Sequence, residues 1–195
     1  MDGRYLLVGL GNPGREFKRQ RHNVGFMLLD HLAEEHDLAF GRVRHRALTA
    51  SGRMAGEPVM LAKPQTFMNL SGHAVSQLLR YYRVPLDRLL VIFDDLDLPL
   101  GALRFRESGG TGGHKGMGSI VEQLGSKSFA RLRVGIGRPP GRMDPADYVL
   151  RPFGAQEESL LSLVLVQAAA GILTYLTEGI TAAISRHNRV LGGDE

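Results

Sequence analysis

Short apolar runs alternate with amphipathic stretches along the chain, and no other feature limits the fold as much. Tyr5–Leu10 and Leu89–Phe93 read as buried strands, with Leu103–Phe105 and Leu132–Ile136 as further strands. Arg42–Met54 and Pro58–Ala62 read as strands around a glycine-containing turn. Val24–Leu38 carries Val24, Leu28, Leu29 and Leu32 at helical spacing, and Ser71–Tyr82 carries Val75, Leu78, Leu79 and Tyr82. Gly116–Leu124 reads as a helix entered from a glycine-rich loop, and Gln156–Arg186 as one long last helix. Alternation of this kind predicts an α/β fold, a three-layer α/β/α sandwich around one mixed, mostly parallel sheet. The 195 residues suit a single domain spanning 1–195.

Composition narrows the chemistry. Cysteine is absent, which removes disulfides and thiolate metal sites and fits a reducing cytoplasm. Met1-Asp2-Gly3-Arg4 lacks the basic and apolar segments of a signal peptide. Ser159–Thr177 is uncharged and nearly long enough to span a membrane. Its serines and threonines gather on one face, and Gln167 and Gly171 interrupt the apolar run, so a helix of the fold is expected instead. Lys and Arg outnumber Asp and Glu by 24 to 20. The arginines alternate at Arg42, Arg44 and Arg46, at Arg104 and Arg106, and at Arg131 and Arg133. On strands that spacing gives a basic face, which suits a polyanion.

The informative motifs fall where strands are expected to end, the usual place for sites in such folds. Gly9-x-Gly11-x-x-Gly14 follows a strand, the position of a dinucleotide loop. Pro13 lacks an N–H, however, and no acidic residue ends the next strand, so the turn is better suited to presenting Asn12. His22 follows closely. With Asp94 just past an apolar strand, it makes a candidate base whose tautomer a carboxylate would fix. No serine elbow or cysteine offers a nucleophile, which leaves water as the attacker. Asp94, Asp95 and Asp97 also admit a metal reading, although Asp97-Leu98-Pro99 has turn chemistry. In Lys63–Gly72, Asn69 or Ser71 is suited to capping a helix. Alternatively, Phe67 and Met68 form an apolar wall and the Asn69 amide binds a substrate carbonyl. Ser108–Gly116 reads as a mobile loop running into a helix N-terminus, a place for phosphate or carboxylate.

Six ordered motifs together resemble those of bacterial peptidyl-tRNA hydrolases: GLGNPG at Gly9–Gly14, RHNVGF at Arg21–Phe26, KPQTFMNLSG at Lys63–Gly72, FDDLDLPLG at Phe93–Gly101, GGTGGHKG at Gly109–Gly116 and RLRVGIGRP at Arg131–Pro139. The resemblance implies an esterase acting on peptidyl-tRNA, a cytoplasmic monomer without metal or cofactor. It places catalysis on His22, Asp94, Asn12 and Asn69. Substrate and tRNA contacts fall on Phe17, Phe67, Met68, Asn69, Arg104, Arg106, His114, Lys115 and Arg133. Two positions depart from the family pattern. Lys115 stands where asparagine is usual, and Phe17 where tyrosine is common. The competing expectations are an RNA-binding relative without catalysis and a metal-dependent hydrolase using the aspartate cluster.

Overall fold

The fold is built on an eight-stranded sheet of order β2-β3-β4-β1-β5-β7-β6-β8. The computed structural model describes residues 3–192. Met1 and Asp2, which open the segment weighed as a signal peptide, lie outside them. The strands are β1 (Tyr5–Gly9), β2 (Val43–Arg44), β3 (Ala47–Met54), β4 (Glu57–Pro64), β5 (Leu89–Asp95), β6 (Ala102–Arg106), β7 (Ala130–Gly135) and β8 (Arg189–Val190). The centre, β4-β1-β5-β7, is parallel. Only β3 and β6 run against the other strands, pairing antiparallel with their neighbours towards the two edges.

Among the described residues six α-helices accompany the sheet: α1 (Val24–Glu35), α2 (Ser71–Tyr82), α3 (Lys115–Leu124), α4 (Pro145–Val149), α5 (Ala155–Glu178) and α6 (Ile180–His187). Side chains alternate across a strand, and β1 shows the result. Leu7 joins Leu28, Leu32, Val164 and Ile172 in a core under α1 and α5. Leu6 and Val8 join Val75, Leu78 and Ile120 in a second core under α2 and α3. These are the three expected layers.

Backbone conformation moves several boundaries. Asp37 takes a left-handed φ of 54°, and the Leu38 N–H bonds the Ala33 carbonyl at 2.8 Å, so α1 ends at Glu35 rather than Leu38. The strand expected over Arg42–Met54 is a hairpin. His45 and Arg46 are both left-handed (φ 49° and 61°) and join β2 to β3. Arg42, Arg44 and Arg46 therefore do not line one strand face. The expected last helix is two helices, broken at Gly179, whose φ of 87° and ψ of 175° are not helical. By length and composition α5 could cross a membrane. Here it places Val164, Ala168, Ile172, Tyr175 and Leu176 in the first core. A Cβ on Gly171 would come within 2.6 Å of the Phe105 ring, so this glycine seats α5 against β6.

Candidate active site

The site begins with a close fit between two glycine motifs. A Cβ on Gly9 would lie 2.3 Å from the Gly25 carbonyl oxygen. One on Gly25 would lie 2.5 Å from the Leu10 nitrogen and 2.6 Å from the Ile92 oxygen. The start of α1 thus sits directly on the ends of β1 and β5. A Cβ on Gly11 would enter the Phe26 ring at 2.7 Å. The glycines of the first motif are spent on packing against RHNVGF, and this disposes of the dinucleotide loop.

That contact sets the turn carrying His22 beside the turn carrying Asn12. Asn23 fixes their relation. Its side-chain oxygen accepts from the Asn12 N–H and its side-chain N–H donates to the Asn12 carbonyl, both at 2.9 Å. Arg21 anchors the same 3-10 turn (Arg21–Asn23) from below. It makes paired bonds of 3.0 and 2.8 Å to Glu157 and lies over the rings of Tyr148 and Phe153. A buried guanidinium so placed joins the histidine turn to α4 and α5.

Asp94, at the end of β5, is the electrostatic centre. It is 3% exposed. His22 Nδ1 lies 2.8 and 2.9 Å from its two carboxylate oxygens. His114 Nε2 lies 2.9 Å from Oδ1. Burial alone would raise the Asp94 pKa. The attraction and hydrogen bonds of His114, and then of His22, outweigh burial and hold it well below the usual carboxylate range. Asp94 is therefore an anion that accepts from both rings.

His114 is locked in one tautomer. It is the N-cap of α3, and its Nδ1 accepts from the N–H groups of Gly116 and Met117 at 3.1 and 3.3 Å. An accepting Nδ1 carries no proton, so Nε2 carries it and donates to Asp94. His22 has the opposite arrangement. Its Nδ1 donates to Asp94, which leaves Nε2 as a free lone pair beside the cleft.

The cleft has a volume of about 520 Å³. It gathers Asn12, His22, Phe67, Met68, Asn69, Asp94, His114 and Lys115 from the expected set. Asn69 caps nothing: Leu70 holds the cap position of α2 without a side-chain bond, and the Ser71 hydroxyl donates to the Met68 carbonyl instead. The Asn69 amide is thus available to a substrate, and Phe67, 77% exposed, forms an apolar rim.

Phe17, Arg104, Arg106 and Arg133 do not line the cleft. Arg104 and Arg133 are cross-strand partners on β6 and β7. Arg133 Nε donates to Asp95 Oδ2 at 2.5 Å. Arg131, expected on the basic face, is buried, and its guanidinium donates to the carbonyls of Gly109 and Gly110 at 2.7 and 2.8 Å. The start of the loop read as mobile is thereby tied down.

The aspartate cluster does not converge on a cation. Asp95 is bonded to Arg133 and to the Asp97 N–H, and Asp97 pairs with Arg138. A different trio, His22, Asp94 and His114, brings its ligand atoms within 4.8 Å of one another. It does not suit a metal either. Coordination at His114 Nε2 would displace the ring's only proton unless the α3 cap were given up.

Sequence reasoning missed part of the cleft lining, where Pro145, Ala146, Val149 and Leu150 of α4 and its C-cap join Phe67 and Met68. The signal was present. Asp144 accepts from the Ala146 N–H at 2.8 Å and Pro145 opens the helix, a cap-and-proline start.

A buried carboxylate bonded to an imidazole that faces a cleft, on an α/β sandwich, suits a hydrolase. The chain belongs to the peptidyl-tRNA hydrolase family, whose model matches residues 6–192. It is 52% identical over 185 residues to the peptidyl-tRNA hydrolase of Chloroflexus aggregans, covering 94% of this chain and 98% of that one. It is 50% identical over 176 residues to the chloroplastic peptidyl-tRNA hydrolase of Arabidopsis thaliana, covering 90% of this chain and 61% of that longer one. A crystal structure of peptidyl-tRNA hydrolase from Acinetobacter baumannii superposes with a TM-score of 0.90 at 32% identity, covering 97% of each chain.

Proposed function

We propose that the chain hydrolyses the ester joining an N-blocked peptide to the 3′-terminal ribose of tRNA, acting as a monomer in a bacterial cytoplasm. The observation that carries the chemistry is the Nδ1 bond of His22 to an ionised, buried Asp94. It leaves Nε2 to take a proton from water. Asp94 then stabilises the imidazolium, as a buried carboxylate does for a catalytic imidazole elsewhere. The water attacks the ester carbonyl. Amide donors from Asn12 and Asn69 stabilise the oxyanion, and loss of one such donor costs about 3 kcal/mol in the barrier. His22 returns its proton to the departing ribose oxygen.

His114 acts as a positioning residue. It donates to Oδ1 of Asp94 next to His22, the two ring centroids lying 4.8 Å apart, while its Nδ1 caps α3 and so ties the carboxylate to that helix. The peptide lies along Phe67, Met68, Val149 and Leu150. Arg104, Arg106 and Arg133 lie outside the cleft and meet the phosphates of the acceptor stem. Lys115, exposed at the first turn of α3, adds a charge for the phosphate near the 3′ end.

The test is release of N-acetyl amino acid from N-acetyl-aminoacyl-tRNA in EDTA, with the unblocked aminoacyl-tRNA as control. Cleavage of the blocked ester alone is expected. Tight tRNA binding without cleavage would favour a non-catalytic RNA-binding relative, and loss of cleavage in EDTA a metal-dependent enzyme.

A further inference from the structure

At the β2–β3 hairpin, away from the catalytic residues, three rings cluster on the surface. The His45 ring lies 4.3 Å from that of Tyr81 and 5.9 Å from that of Tyr82, and the two tyrosine rings are 4.9 Å apart. Tyr82 packs on the second core, with the guanidinium of Arg4 5.5 Å from its ring centroid. Tyr81 points outward and is 65% exposed.

The surroundings are basic. Arg44 and Arg46 flank His45, and Arg80 and Arg83 flank the tyrosines. All four are exposed, and among the described residues none has a carboxylate partner. The hairpin also keeps side chains where glycine is preferred. Its two turn residues, His45 and Arg46, are both left-handed, as is Arg83 at the end of α2 (φ 53°).

The surface adjoins the cleft. The Arg46 carbonyl accepts from the Gln65 N–H at 2.7 Å, two residues before Phe67 at the rim. It lies on the β4 side, whereas Arg104, Arg106 and Arg133 lie on the β6–β7 side.

We propose that His45, Tyr81 and the arginines beside them form a second RNA-binding surface. An RNA strand stacks a base on Tyr81 and His45 while Arg44, Arg46, Arg80 and Arg83 track its phosphates. An exposed ring backed by a half-buried one and set among unpaired cations is what a strand needs: every base has a face to stack, and every phosphate a charge to meet. The proposal extends the RNA specificity of the proposed function and does not use its chemistry.

The probes are a fluorescein-labelled single-stranded oligoribonucleotide of mixed sequence and uncharged tRNA, tested on the full chain. Tyr81→Ala is expected to weaken oligoribonucleotide binding about 5- to 150-fold, the range of one stacked base. Arg46→Ala with Arg83→Ala should lower the slope of log affinity against log salt by about 1.4, at about 0.7 per phosphate contact. Both variants should cleave saturating N-acetyl-aminoacyl-tRNA at the wild-type rate, and that rate separately tests the proposed function. Weakened binding of both probes assigns the surface to the substrate's tRNA. Weakened binding of the oligoribonucleotide alone assigns it to another RNA; either supports the proposal. Wild-type RNA affinity and salt slope in both variants would overturn it, as would no oligoribonucleotide binding by the unaltered chain. So would unchanged RNA binding with reduced binding to anionic lipid vesicles, which would make the surface a membrane contact.

Discussion

Replacing Asp94 by asparagine should disable the site through proton placement, with little change in shape. The carboxylate accepts from both His22 Nδ1 and His114 Nε2. Asparagine offers one accepting oxygen and one donating nitrogen. His114 cannot adapt, because the N–H groups of Gly116 and Met117 keep the proton off its Nδ1. The asparagine oxygen must therefore turn to His114 and its amide to His22. His22 then accepts at Nδ1, carries its proton on Nε2 and can no longer act as a base. General-base catalysis contributes 10²- to 10⁴-fold, so Asp94→Asn should lower kcat by about that factor, roughly 3–5 kcal/mol of barrier. The same logic predicts a partial rescue. His114→Asn keeps a good helix cap but removes the demand on position 94. In the double variant the side-chain oxygen of the introduced asparagine is free to accept from His22, and kcat should rise at least several-fold above that of Asp94→Asn alone. Steady-state release of N-acetyl amino acid from its tRNA reads both effects. A double variant no faster than the single one, or an Asp94→Asn enzyme within tenfold of wild type, would refute the tautomer argument.

Three further outcomes follow from the same structure. The folded pKa of Asp94 is depressed, so its contribution to stability is complete above the unfolded value of about 3.9 and is lost as pH falls below it; urea unfolding at pH 6 and pH 3 should show a loss that Asp94→Asn reduces. Gly25→Ala places a Cβ 2.5 Å from the Leu10 nitrogen and 2.6 Å from the Ile92 oxygen, both backbone atoms; a loss of about 3 kcal/mol or more is expected, and a wild-type melting temperature would show that the motif interface yields. Arg133→Ala should raise KM for tRNA substrates and flatten its salt dependence with kcat little changed, whereas an unchanged KM would move the phosphate contacts elsewhere.

The layers are legible in the sequence because both cores follow simple periods. The bounds of α2 match the expected Ser71–Tyr82, and the buried faces of α1 and α2 are those the helical spacing marks. Differences arise where backbone conformation overrides pattern. Nothing in Arg42–Met54 announces that His45 and Arg46 take left-handed angles without glycine. Gly179 breaks α5 from α6 inside a run that otherwise reads as one helix. In the site, His22 and Asp94 stand out because their chemistry is uncommon, whereas Arg131 misleads because an arginine on a strand looks the same whether it faces solvent or holds a loop. The part played by His114 is invisible for a related reason. Its bonds run to backbone groups at a helix start and to a carboxylate 20 residues away in sequence. Only the fold joins them.

The most direct measurement is the turnover of N-acetyl-aminoacyl-tRNA by His22→Ala against the unaltered chain, with both proteins folded by circular dichroism and EDTA present. If His22 Nε2 is the base that activates water, kcat falls about 100-fold or more while tRNA binding persists. Full turnover in the variant would contradict the mechanism and remove His22 from the chemistry.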